Sequence, residues 1–355
     1  MALISKKKLP YPVTEPLEYF LDQYDRISPV NIKYEDLTRF NNAIPLYDSQ
    51  GEDTLWITVF YPQDDMEELY KTLKKLYASL RADGNLTVME HLFVDRVDMC
   101  TYGNTKPFRV RIVNRINDNF DYFYIKVADA SRIYGLELED ILSPNKVSYL
   151  VTEQTLIEEH IPGIPGDTFI NSYLEDGHQN KTRLTKEFVK FNERCFVQLL
   201  GDMHSSNWVV LMVPDFDEIN YRIRPIDFDQ QSYEGRRNIY MPQFYRQNNA
   251  ILKLMMGKIS WESVRQYQAE ERFMIASRVM GFRHRAKDIL RTMRKDVIAP
   301  RDNVMSLRQD LSEHYKSSRF LKCENMGEIV TESIEHVLRR QDKYKDMFDS
   351  SQYEQ

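Results

Sequence analysis

Three strand-like runs follow one another over residues 91–100, 108–116 and 121–127, with no helical pattern between them. Each is rich in Val, Ile, Phe and Tyr, and the links carry turn residues, among them Gly103, Asn104, Pro107 and Asn117-Asp118-Asn119. Strands joined this closely pair antiparallel, because a parallel neighbour needs a crossover of roughly a dozen residues or more. That order excludes the strand–helix alternation of a doubly wound α/β fold. A helical pattern then covers 131–142 and stops at Ser143-Pro144. Two more strands are expected at 147–151 and 155–161, before Pro162-Gly163-Ile164-Pro165-Gly166, which reads as a hinge.

Upstream, residues 53–61 read as a strand and 64–82 as a helix, with Leu69, Leu73, Leu76 and Leu80 at helical spacing. Residues 1–45 are broken by Pro10, Pro12, Pro16 and Pro29. Downstream, 184–200 places Leu184, Phe188, Phe191, Cys195 and Leu199 on one apolar stripe. Strands at 208–213 and 221–226 follow, then long helical patterns at 262–296 and 325–345. The expected organisation is an α+β chain in three parts. Residues 1–87 form a small α/β extension, 88–162 a five-stranded antiparallel lobe, and 163–355 a mainly helical lobe.

Composition narrows the class further. With 42% apolar and 12% aromatic residues the chain can bury cores, which excludes disorder as its main state. The apolar run 208–214 is far short of the ~20 residues of a bilayer span, so no membrane partner is expected. Residues 1–8 lack the apolar stretch of a secretory leader. Cys100, Cys195 and Cys323 are few and scattered, which suits a reducing compartment, the cytoplasm. A net charge of −6 disfavours nucleic acid as a partner. One local exception is the basic stretch 272–295, for which a solvated face or intramolecular pairing is expected.

The densest polar signal is Gly201-Asp202-Met203-His204-Ser205-Ser206-Asn207, followed by Ile226-Asp227-Phe228-Asp229. A loop of this length can aim Asp202 and Asn207 into one cleft, and pairing of the two flanking strands would return Asp227 beside Asn207. Two hard oxygen donors so placed suit Mg²⁺. Asp202 would then orient or accept the proton of an attacking hydroxyl. Asp229 is either a second metal contact or a structural partner, and His204 is expected to be structural. Lys126 lies on an apolar strand, where burial of its ammonium calls for a phosphate or a carboxylate. Glu137 on the next helix is the expected carboxylate, with Glu139 as the alternative.

Gly-Asp-Met-His-Ser-Ser-Asn and Ile-Asp-Phe-Asp resemble the catalytic and metal-binding loops of the protein-kinase-like fold, in its branch of aminoglycoside and choline phosphotransferases. The resemblance spans roughly residues 90–260. It implies a two-lobed fold that uses ATP and Mg²⁺, with Asp202 catalytic, Asn207, Asp227 and Asp229 on the metal, and Lys126 on the phosphates beside Glu137. It further implies that the Glu159 carbonyl and the Ile161 amide hold adenine, and that Gly103, Asn104 and Thr105 form the phosphate turn. The chain departs from the pattern at Leu200, where the family has His, and in having a single glycine, Gly103, in the phosphate loop.

The reading is an ATP-dependent phosphotransferase acting on a hydroxyl of an unidentified acceptor. Two alternatives are a nucleotide-binding scaffold without catalysis, suggested by Leu200, and a sugar-nucleotide glycosyltransferase using Asp227-Phe228-Asp229 as its metal motif.

Overall fold

The computed structural model describes residues 8–81, 90–102, 105–174, 180–215 and 218–341. The chain divides into two units, Lys7–Ala130 with Val147–His160, and Ser131–Lys146 with the chain from Ile161 onward.

In the first unit, helices α1 (Glu15–Gln23) and α2 (Tyr34–Leu37) precede strands β1 (Asn42–Tyr47) and β2 (Asp53–Phe60). Helix α3 (Gln63–Arg81) leads to β3 (Leu92–Cys100), β4 (Phe108–Asn114) and β5 (Phe120–Val127), and β6 (Tyr149–Thr152) and β7 (Thr155–Glu159) complete the set. They form one seven-stranded sheet in the order β1-β2-β3-β4-β5-β7-β6, with every neighbouring pair antiparallel. The three consecutive runs make the expected meander, Phe108 opposing Met99 on one side and Ile125 on the other.

The five strands expected of this sheet are therefore five of seven. β2 pairs with β3 through Trp56↔Cys100 and Val59↔Val97, so it continues the sheet instead of belonging to a separate extension. β1 is a strand that was not expected. It sits at the sheet edge, the place in a sheet where a proline such as Pro45 is tolerated.

Strand alternation, with a bulge between Val94 and Arg96 that returns Val97 to the same face, sends Val94 and Val97 of β3, Val110 and Ile112 of β4, and Phe123 and Ile125 of β5 into one core with Leu73, Leu76 and Leu80 of α3. Each such side chain contributes about 1.5–3 kcal/mol when fully buried. On β3's other face Asp98 is fully buried, and its Oδ2 accepts from Arg96 Nε at 3.1 Å and Arg109 Nη2 at 2.8 Å.

The second unit opens with α4 (Ala130–Leu142), then β8 (Ile164–Pro165), α5 (Gly166–Ser172) and α6 (Lys181–Gln198). Strands β9 (Trp208–Asp215) and β10 (Glu218–Pro225) form a hairpin, to which β8 adds through Ile164↔Val210. Helices α7 (Asn249–Lys258), α8 (Trp261–Gly281), α9 (Arg283–Met293), α10 (Arg301–Tyr315) and α11 (Met326–Arg339) follow. The stripe on α6 is buried as its spacing requires, and Phe188 and Phe191 meet the fully buried Trp208 ring at 6.4 and 6.3 Å.

The helical pattern over 262–296 is carried by two helices, α8 and α9. Phe282 leaves helical geometry (φ −108°, ψ 31°) and caps α8, its N–H bonding to the Arg278 carbonyl. The expected hinge is partly ordered by pairing. Gly163 has φ 151°, and a Cβ there would lie 2.7 Å from Val209 Cγ2, so only glycine lets the chain pass.

Candidate active site

Helix α6 ends at Leu199 in the left-handed region (φ 57°), and the Leu200 N–H closes onto the Cys195 carbonyl. The chain then enters the loop with a second left-handed residue, Asp202, at φ 60°. Such backbone is costly away from glycine and persists only where surrounding bonds over-determine it. Here they do: the Asp202 N–H donates to the Tyr245 hydroxyl at 2.9 Å and to the Ile239 carbonyl at 3.2 Å, and Tyr245 Oη itself donates to Ile239 O. The Asn207 side-chain amide donates to the Asp202 carbonyl at 2.8 Å, closing the loop and orienting the amide oxygen away from it.

The β9–β10 hairpin returns the chain as its apolar pattern requires. Trp208 opposes Pro225, and the Ile226 N–H donates to the Asn207 carbonyl at 3.0 Å, so Asp227 follows directly beside Asn207. The Asp229 N–H donates to Asp227 Oδ1 at 3.1 Å. Phe228 is buried between these carboxylates, close enough to α4 that a Cβ on Gly135 would lie 3.1 Å from its ring.

Arg132, on α4, is a residue that spacing arguments missed. It is 1% exposed, and its Nη1 donates to Asp227 Oδ1 at 2.7 Å and Asp229 Oδ1 at 2.6 Å. A lone cation among Ile133, Tyr134, Leu136 and Leu138 was the available signal, since a buried guanidinium demands anions. Tyr245 and Glu234 were missed as well.

The electrostatics centre on Asp202. Burial first, then the carboxylates of Asp227, Asp229 and Glu234, push its carboxyl up to about 7. His204 Nδ1 accepts from the Ser206 N–H at 3.3 Å, which leaves the ring proton on Nε2, 4.0 Å from Asp202 Oδ1. Burial lowers the His204 pKa, so the ring is a neutral cap of this turn.

In the sheet unit, Lys126 is met by Glu158 of β7, Nζ to Oε2 at 2.8 Å. The register explains the choice: Lys126 opposes Leu156, and Glu158 is the next residue on that face, a diagonal neighbour. Each of the two α4 glutamates has partners in its own unit. Buried Glu137 pairs with Arg285, and Glu139 accepts from Gln198 Nε2 at 2.9 Å and Asn145 Nδ2 at 3.3 Å. Glu159 ends β7 opposite Phe123, with its carboxylate on Arg81 and the Ser148 N–H. Ile161 is buried just beyond, and Thr105 lies in a bend before β4. Gly103 and Asn104 lie outside the described residues.

Asp227, Asp229 and the Asn207 amide offer hard oxygens of the kind Mg²⁺ takes, and the acidity excess registered by Asp202 favours a cation there. Arg132 engages Oδ1 of each aspartate. Among the described residues no group of three or more His, Cys, Asp or Glu could hold a metal, so an ion would lean on water or substrate for its remaining ligands. No family model matches the chain, and no curated protein matches it.

Proposed function

We propose that the chain is a phosphotransferase that uses ATP and Mg²⁺ to phosphorylate a hydroxyl, with Asp202 orienting the hydroxyl and taking its proton. The observation that carries this reading is the Asp202 carboxyl, held in an acidic cluster with its pKa raised to about 7. A solvated aspartate titrates near ~3.9 and is a poor proton acceptor at neutral pH, whereas a group near 7 exchanges protons readily. The strained loop supports the same role, because it fixes the carboxyl before substrate arrives. Asn207, Asp227 and Asp229 would hold Mg²⁺, which would supply charge neutralisation to the phosphates. Arg132 would keep the two aspartates together. His204, with its Nε2 proton toward Asp202, would steady the carboxylate as it forms.

A survey of hydroxyl acceptors with labelled ATP tests this. Asp202→Asn and Asp227→Asn are each expected to lower transfer by about 100-fold or more. Transfer at the parental rate in both variants would overturn the mechanism.

One observation favours a second reading, a nucleotide-binding protein without catalysis. Arg132 already gives Asp227 and Asp229 a cation partner, and a fixed guanidinium could replace the metal there. That reading expects ATP to raise the thermal midpoint with no phosphate transfer to any acceptor. The glycosyltransferase alternative needs alternating strands and helices, and the antiparallel sheet disfavours it.

A further inference from the structure

The basic stretch 272–295 resolves into two groups of cations. Arg272 pairs with Glu193, Arg285 with Glu137 and Asp140, and Arg278 donates to the carbonyls of Asp140 and Ile141. These three serve packing. Arg283, Lys287 and Arg291 recur every fourth residue along α9, and Arg294 follows at its end. All four border a cavity of about 260 Å³ enclosed by α8, α9 and α11.

The cavity lining is aliphatic: Val279 of α8, Ala286 and Leu290 of α9, and Ile334 and Leu338 of α11. Thr331 and Glu335 also border it, and both are engaged. Thr331 Oγ1 donates to the Gly327 carbonyl, and Glu335 pairs with Arg339 at 2.8 Å. A hydrogen-bonding ligand would thus find little to bond on the floor, while the rim is strongly positive. An amphipathic helix would need a groove with anchor sites at i, i+3/i+4 and i+7, but the space here is a small pocket walled by three helices.

We infer that this cavity binds the alkyl chain of a fatty carboxylate, with the carboxylate held by the cations of α9. Burial of methylene groups would supply affinity, and the rim would select the anionic head. The inference is independent of the phosphotransferase reading, since it uses none of the residues assigned there.

Titration calorimetry of the full chain with sodium dodecanoate tests it. One saturable site is expected, with dodecanol and dodecyltrimethylammonium each binding about tenfold more weakly or worse. The double variant Arg283→Glu/Lys287→Glu lies on the rim, Arg283 exposed and Lys287 half-buried, and is expected to weaken dodecanoate by about tenfold or more. Leu290→Gln, on the lining, should weaken all three ligands alike. Dodecanoate binding that is absent, not saturable or unchanged by the charge reversal would overturn the inference. So would binding to anionic phospholipid vesicles alone, which would mark the rim as a membrane-attracted face.

Discussion

At the scale of single residues the chain concentrates its charge tension at Asp202. Unfolded, its carboxyl titrates near 3.8, and folded near 7, so between those values the folded form retains the extra proton. The stability tied to that proton is full below the lower value and is lost as pH rises through the upper one. Urea unfolding at about pH 5 and about pH 8 should show the parent losing on the order of 2 kcal/mol more than Asp202→Asn over this interval. Equal losses would mean that the carboxyl titrates normally. If Asp202 is the proton acceptor, Mg²⁺ on Asp227 and Asp229 would offset part of the repulsion that raises its carboxyl, so the transfer rate should rise with pH and level off below about 7. Arg132 sets the opposite condition, a permanent cation whose Nη1 bonds both Asp227 and Asp229.

At the scale of elements, the loop geometry depends on how closely β8, α5 and β9 approach. A Cβ on Gly166 would fall 2.5 Å from the Ser205 carbonyl oxygen and from the Trp208 ring, inside the turn that carries Asn207. Gly166→Ala should cost about 1–3 kcal/mol in urea unfolding through this overpacking. Gly257 in α7 has nothing within 4 Å, so Gly257→Ala should be neutral or stabilising by about 0.5–1 kcal/mol. Similar effects from both substitutions would remove the argument for tight approach at Gly166.

These elements also show what the sequence could reveal. The hairpin was readable because the runs around Trp208 and Ile223 are apolar, adjacent and separated by a polar turn, which leaves one short-range pairing. Arg132 was not, because its anions lie 95 and 97 residues further on, and nothing local marks such a distance. The Lys126 partner turned on strand register. A period of two places Glu158 diagonally across from it, and that register is set only when β5 and β7 pair. The strand around Pro45 was hidden because its suitability depends on lying at an edge, a property of the assembled sheet.

At the scale of the whole molecule, the N-terminal strands complete the sheet. Removing residues 1–61 would uncover the β3 edge where Trp56 and Val59 now pair. Unpaired strand edges template association, so the truncated chain is expected to elute as aggregate in size-exclusion chromatography. A soluble monomer with the parental circular dichroism spectrum would show that β1 and β2 are dispensable. The division of the chain has a different consequence. It passes from one unit to the other after Ala130, Lys146 and His160, so α4 belongs with the helices although sheet strands flank it in sequence. A protease that nicks any one of these crossings leaves both halves laced together by the remaining segments. Neither unit is one continuous stretch of chain, so neither could be added or removed by a simple end-to-end fusion.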